Sequence, residues 1–130
     1  MAATPNFAST PRCVGSSSAA ANTALDGTGT LITAFTAGPN GSRLDNIMLK
    51  AAATTVAGMI RLFIHDGTTA RLLTEVPVQA ITPSGTVSAW EQRIDVSVLG
   101  GLLLLPSGSS LRWAAHAASA FNCIVTGYDA

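Results

Sequence analysis

Between residues 86 and 98 apolar and polar side chains alternate: Trp90, Ile94, Val96 and Val98 fall on one parity and Glu91, Arg93 and Asp95 on the other. A period of two puts the two sets on opposite faces of an extended chain, so this segment predicts a half-buried strand with Trp90 and Ile94 toward the core. Leu111, Trp113 and Ala115 oppose Arg112 and His116 in the same way, and Leu72 and Val76 oppose Arg71 and Glu75. Two segments carry apolar weight on both faces. In residues 59 to 65, Ile60, Leu62 and Ile64 share one face while Met59 and Phe63 share the other with Arg61 and His65; in residues 43 to 51, Leu44 and Met48 oppose Ile47 and Leu49. Such strands are either central and covered twice or meet another subunit, which makes Met59 and Phe63 candidates for a partner interface.

Strands are expected at residues 30 to 36, 43 to 51, 57 to 65, 70 to 76, 86 to 98, 102 to 105, 110 to 117 and 121 to 128. They are separated by Pro39-Asn40-Gly41, Asp66-Gly67, Pro83-Ser84-Gly85 and Pro106-Ser107-Gly108. Proline presets one turn dihedral, and Asn, Asp and Gly tolerate the positive φ that tight hairpins require. Trp113 to Ala120 is the one stretch with a helical alternative, being rich in alanine, but it is short and lacks a cap. The expected fold is therefore all-β: an antiparallel β-sandwich, with the eight-stranded jelly roll as leading topology and an immunoglobulin-like sandwich as the alternative. Residues 29 to 130 make up that domain. Residues 1 to 28, with Pro5, Pro11, the Ser16-Ser17-Ser18 run and few large apolar anchors, are expected to form an extended or flexible N-terminal arm.

Composition changes this picture mainly by exclusion. Seven basic and seven acidic residues leave no formal net charge, which removes the long-range attraction on which nucleic-acid binders rely. Charged residues make up 11% of the chain, against about 25% in typical soluble domains. Ser and Thr supply 27 hydroxyls instead, and a neutral, hydroxyl-rich exterior resists association only weakly. No apolar run approaches membrane-spanning length, and the start MAATPNFASTPR shows no basic and apolar export signal, so synthesis in the cytoplasm is expected. Cys13 and Cys123 fit no zinc, redox or haem spacing; they read as free thiols, with a staple as the alternative under oxidising conditions.

Candidate chemistry is sparse. His65 and His116 stand at no metal-ligand spacing, and no metal or cofactor is expected. His65-Asp66 could join a hydroxyl in a triad, yet no G-x-S-x-G elbow exists and Asp66 is explained by its Asp-Gly turn. Asp26-Gly27-Thr28-Gly29 lacks the ending of a phosphate loop and the further carboxylates of a calcium loop, and Asn40-Gly41-Ser42, although a glycosylation sequon, is explained by a hairpin. Trp90 and Trp113 could form a sugar platform, but their parity with Ile94 and Leu111 assigns them to the core.

The run from Leu31 to Val78, with TAFTAGPNGSRLDNIMLKA, AGMIRLFIHDG and RLLTEVPV, resembles small proteins encoded beside the head genes of tailed bacteriophages. Among these it is similar to the cement or decoration proteins of HK97-type capsids, a resemblance of pattern and turn placement over most of residues 30 to 128. It implies a structural virion protein on the outer surface of the capsid, with the major capsid protein for partner. The apolar weight on both faces of residues 43 to 65 adds the expectation of a symmetric dimer or trimer that covers the second face. Nucleic acid, membrane and small-molecule substrates are not expected, nor is catalysis. The arm would supply a second foothold: Phe7 to fill a pocket, Pro11 to limit the entropy lost, Arg12 to pair with a shell carboxylate. The alternative is a tail- or fibre-associated sandwich that binds a carbohydrate or host surface, which a cluster of exposed aromatics would favour.

Overall fold

Each predicted turn is followed by an extended segment whose inward side chains meet those of a facing sheet. The computed structural model describes residues 10–18, 20–95 and 103–130, and within these it contains only strands, turns and loops. The strands are β1 (Thr10–Ser18), β2 (Ile32–Thr36), β3 (Ser42–Ala51), β4 (Gly58–His65), β5 (Ala70–Val78), β6 (Glu91–Asp95), β7 (Leu103–Leu105), β8 (Ser110–Ala115) and β9 (Phe121–Asp129). The first sheet runs β1-β9-β3-β6, with β7 also on β3; the second runs β2-β8-β4-β5. All strand pairings are antiparallel. Four are nested, β1 with β9, β2 with β8, β3 with β6 and β7, and β4 with β5, while β9 pairs also with β3 and β8 with β4. The protein is an antiparallel β-sandwich, as the alternation predicts.

Trp113, Phe35, Phe121, Leu44, Ile47, Leu49, Ile60, Leu62, Leu111 and Val125 are fully enclosed between the sheets. Trp90 meets Phe121 edge to face, with ring centroids 5.9 Å apart. Trp90 and Ile94 are buried while Glu91 and Arg93 are exposed, as the parity predicts, although Gln92 between the two inward positions is exposed as well; Val96 and Val98 lie outside the described residues. The helical alternative at Trp113 is excluded by β8, the strand between β2 and β4. At the Asp66-Gly67 hairpin Gly67 has φ of 97°, and Asp66 caps the turn through the amides of Thr68 and Thr69.

Three expectations are corrected. The segment expected as an arm contains β1, which pairs with β9 residue for residue from Thr10↔Asp129 to Ser18↔Phe121. Two of its inward polar positions are held by bonds: Ser16 Oγ accepts Trp113 Nε1–H across the sandwich at 2.9 Å, and Arg12 donates to Thr36 O at 2.6 Å. In β5 the alternation slips, because a bulge opposite Leu62 and Phe63 leaves Leu72 39% exposed and turns Leu73 toward the core. Phe63 does not await a subunit. It lies on the face of β4 opposite Ile60 and Leu62, yet its exposure is 0% within the single chain. Residues 20–31 approach that face: Asn22 N–H reaches Ala115 O at 2.9 Å, and a side-chain carbon added at Gly27 would stand 2.8 Å from Ala70 Cβ.

Candidate functional site

The outward positions of the first sheet form its broadest single face. They alternate with core residues, so the register places them in rows across the strands: Pro11, Tyr128, Arg43 and Leu104 in one row, Gly15, Ile124 and Met48 in another. Ile124 is 41% and Leu104 64% exposed. Gly15 adds no bulk beside Ile124, and a carbon placed there would meet nothing within 4 Å. Charge is confined to neutralised pairs: Arg43 lies 3.0 Å from Asp45 and over the Tyr128 ring, and Lys50 lies 3.9 Å from Glu91. Beyond them only Arg93 on β6 stands exposed among the described charged residues of this face. The face thus sets exposed apolar side chains, Leu104 at its edge and Ile124 on a central strand, among polar and largely paired charged ones.

The described residues among the predicted interface set do not share one surface. Phe7 lies outside the described residues. Pro11 is exposed on β1 at one end of the face just described. Arg12 points inward: it pairs with Asp129 at 3.1 Å and its guanidinium lies 4.2 Å from the Phe35 ring centre, so its carboxylate partner belongs to its own chain. Met59 is partly buried, its carbonyl accepting both His116 N–H and, at 3.0 Å, His116 Nδ1. Phe63 is enclosed. Trp90 and Trp113 are both buried, which leaves no tryptophan platform for a sugar. Sequence reasoning missed Ile124 and Leu104; the signal lay in Ile124, the one large aliphatic side chain out of parity with Phe121, Cys123 and Val125.

Arg12 and Asp129 belong to a polar clasp at one end of the sandwich. Ser42 Oγ donates to Asp129 Oδ1 at 2.6 Å and accepts Gly38 N–H at 2.8 Å, so β1, β9 and the turn before β3 are tied together. The Ser42 hydroxyl, and after it Arg12, holds the Asp129 carboxyl below the usual carboxylate range. Asp66 is held well below it by the Thr69 amide, Arg71 and the Thr68 amide, and the Thr28 hydroxyl and amide lower Asp26. A carboxylate whose folded pKa is depressed stabilises fully above its unfolded value, near ~3.9, and that stability is lost as pH falls through the folded value. Melting temperature is therefore expected to fall with pH below about 4. Asp66→Asn, which keeps an oxygen acceptor for the turn, should flatten that acid limb; an unchanged limb would separate Asp66 from acid stability.

The thiols are unpaired. Cys13 is exposed on β1, whereas Cys123 is fully buried on β9 and desolvation pushes its thiol up to about 12. A thiolate-specific alkylating reagent at neutral pH is expected to modify one cysteine, Cys13, in the folded chain and both after denaturation. Mass spectrometry checks this, and label on Cys123 in the native protein would contradict the burial. Among the described residues, no group of three His, Cys, Asp or Glu side chains is placed to hold a metal ion.

No family model and no curated protein matches the chain. Among solved structures it is similar to one described as the structure of infectious bursal disease virus, Gt strain, with 15% identity and a TM-score of 0.33. The match covers 98% of this chain and 34% of that one, so the chain spans about a third of its length.

Proposed function

We propose that this chain is a structural component of a virion that cements or decorates a tailed-phage capsid, acting by contact and not by catalysis. Its partner is the outer surface of the major capsid proteins. The observation that carries the reading is the outer face of the first sheet, where Ile124, Met48, Leu104 and Tyr128 cross several strands and, among the described residues, the neighbouring charges other than Arg93 are paired off. A rigid sheet loses little conformational entropy on docking, so its exposed apolar side chains can act as anchors. We read the four nested strand pairings as an eight-stranded jelly roll in which β6 and β7, both paired with β3, count as one strand. Dimers or trimers would bring several such faces to the shell and multiply a weak single contact.

The test adds purified chain to undecorated capsids of the virus that encodes it. Binding at capsid-like copy number with raised heat resistance is the expected result. A double variant, Leu104→Arg with Ile124→Arg, should stay folded and lose binding, because two unpaired charges would then be desolvated in the contact. Failure of the parent chain to bind any capsid would overturn the function. Full binding by the double variant would overturn the face.

A further inference from the structure

Of the seven basic side chains, five stand within ion-pairing distance of a carboxylate of the same chain: Arg12, Arg43, Lys50, Arg61 and Arg71. Arg93 is exposed at the edge of the first sheet, where water solvates it. Arg112 is different. It sits in the middle of β8, on the outer face of the second sheet, with Thr33 of β2 on one side and Phe63 of β4 on the other. Half-buried, it makes one hydrogen bond, from Nε to Ser110 Oγ at 3.1 Å, and no described carboxylate pairs with it.

Arg112 lines a cleft of about 380 Å³ between residues 27–31 and the β4–β5 hairpin, with His65, Thr30 and Thr68 among its other walls. None of the described carboxylates lines it. The two acids nearest in sequence are turned into their own loops: Asp26 accepts Thr28 N–H and Oγ–H, and Asp66 accepts the Thr68 and Thr69 amides and Arg71. His65 Nδ1 accepts Gly67 N–H at 3.0 Å, which assigns the imidazole proton to Nε2 and makes that nitrogen a donor. The walls of the cleft thus include an arginine whose Nη groups make no hydrogen bond, a histidine with its proton on Nε2 and two threonines. A half-desolvated guanidinium without a counter-ion is unfavourable until an anion joins it, and its fork fits two oxygens of one group.

We propose that this cleft is an oxyanion-binding site, which takes a single carboxylate or phosphate group in bidentate contact with Arg112. His65 and the threonines supply the remaining donors. The site lies on the sheet opposite the proposed capsid-binding face and does not depend on that reading.

The test is a titration of the full chain, labelled with ¹⁵N, by sodium acetate and separately by inorganic phosphate, with ionic strength held constant by sodium chloride. The expected result is a saturable, concerted shift of the Gly27, Thr30, Thr68 and Ala70 amides. The tighter of the two anions identifies the class of group. Arg112→Gln should weaken binding roughly tenfold or more through loss of the charge-assisted pair. Arg112→Lys, which keeps charge without the fork, should fall between, and it decides the question if the glutamine variant does not fold. Absence of a saturable shift with both anions, shifts scattered over the surface, or undiminished affinity in the Arg112 variants would each overturn the proposal.

Discussion

Trp113→Ala is expected to lower the unfolding free energy by about 3–5 kcal/mol, the range for an enclosed large aromatic truncated in a core that relaxes only in part. Trp113 is fully buried on β8, the strand held between β2 and β4, so the hole would open in the middle of the second sheet. The indole also donates Nε1–H to Ser16 Oγ on β1, and its removal deletes one of the bonds that hold β1 over the core. Urea denaturation measures the loss. Trp113→Phe, which restores most of the volume but not the donor, should recover the larger share. A midpoint within experimental error of the parent for the alanine variant would mean that the core is not organised around this side chain.

Gly127→Val is expected to cost about 3 kcal/mol or more, at the upper end for overpacking a well-filled position. A side-chain carbon at Gly127 would collide with the backbone carbonyl oxygen of Arg43 and stand 3.1 Å from Leu44 Cα. Backbone cannot step aside as a flexible side chain can, because β3 at this point is paired with both β9 and β7. The adjoining ladder supplies the control. Gly15, across the sheet on β1, has open space where its side chain would be, so Gly15→Ala should be neutral or slightly stabilising through the unfolded chain. Equal losses for the two would show that the close approach of β3 to β9 is not what excludes a side chain.

These two positions also show what a sequence discloses. Trp113 is legible because Leu111 and Ala115 share its parity, and the expected strands from β2 onward match the observed ones within about two residues except at β6, which begins at Glu91 and not at residue 86. Gly127 is not, since nothing in FNCIVTGYD distinguishes a glycine chosen for backbone proximity from one chosen for a turn. β1 escapes notice for a related reason. Its inward side is Arg12, Val14, Ser16 and Ser18, three of them polar, so the hydrophobic signal of a strand is missing although pairing and cross-sandwich hydrogen bonds are in place. Phe63 is visible as an apolar residue on the wrong face, but what encloses it comes from parts of the chain remote in sequence. The same remoteness hides the Arg112 cleft, whose walls come from β8, the β4–β5 hairpin and residues 27–31.

The pairing of β1 with β9 bears on how the chain reaches this state. Thr10 lies opposite Asp129 and Ser18 opposite Phe121, so the ninth strand supplies every ladder partner of the first. During synthesis, residues 10–18 leave the ribosome long before residues 121–129 exist, at roughly 5–20 residues per second. The second sheet, β2-β8-β4-β5, can close earlier, but the first has to wait with β1 unpartnered and Trp113 without its Ser16 acceptor. Completion of the fold is therefore a late, long-range event, of the kind that slows folding in all-β topologies.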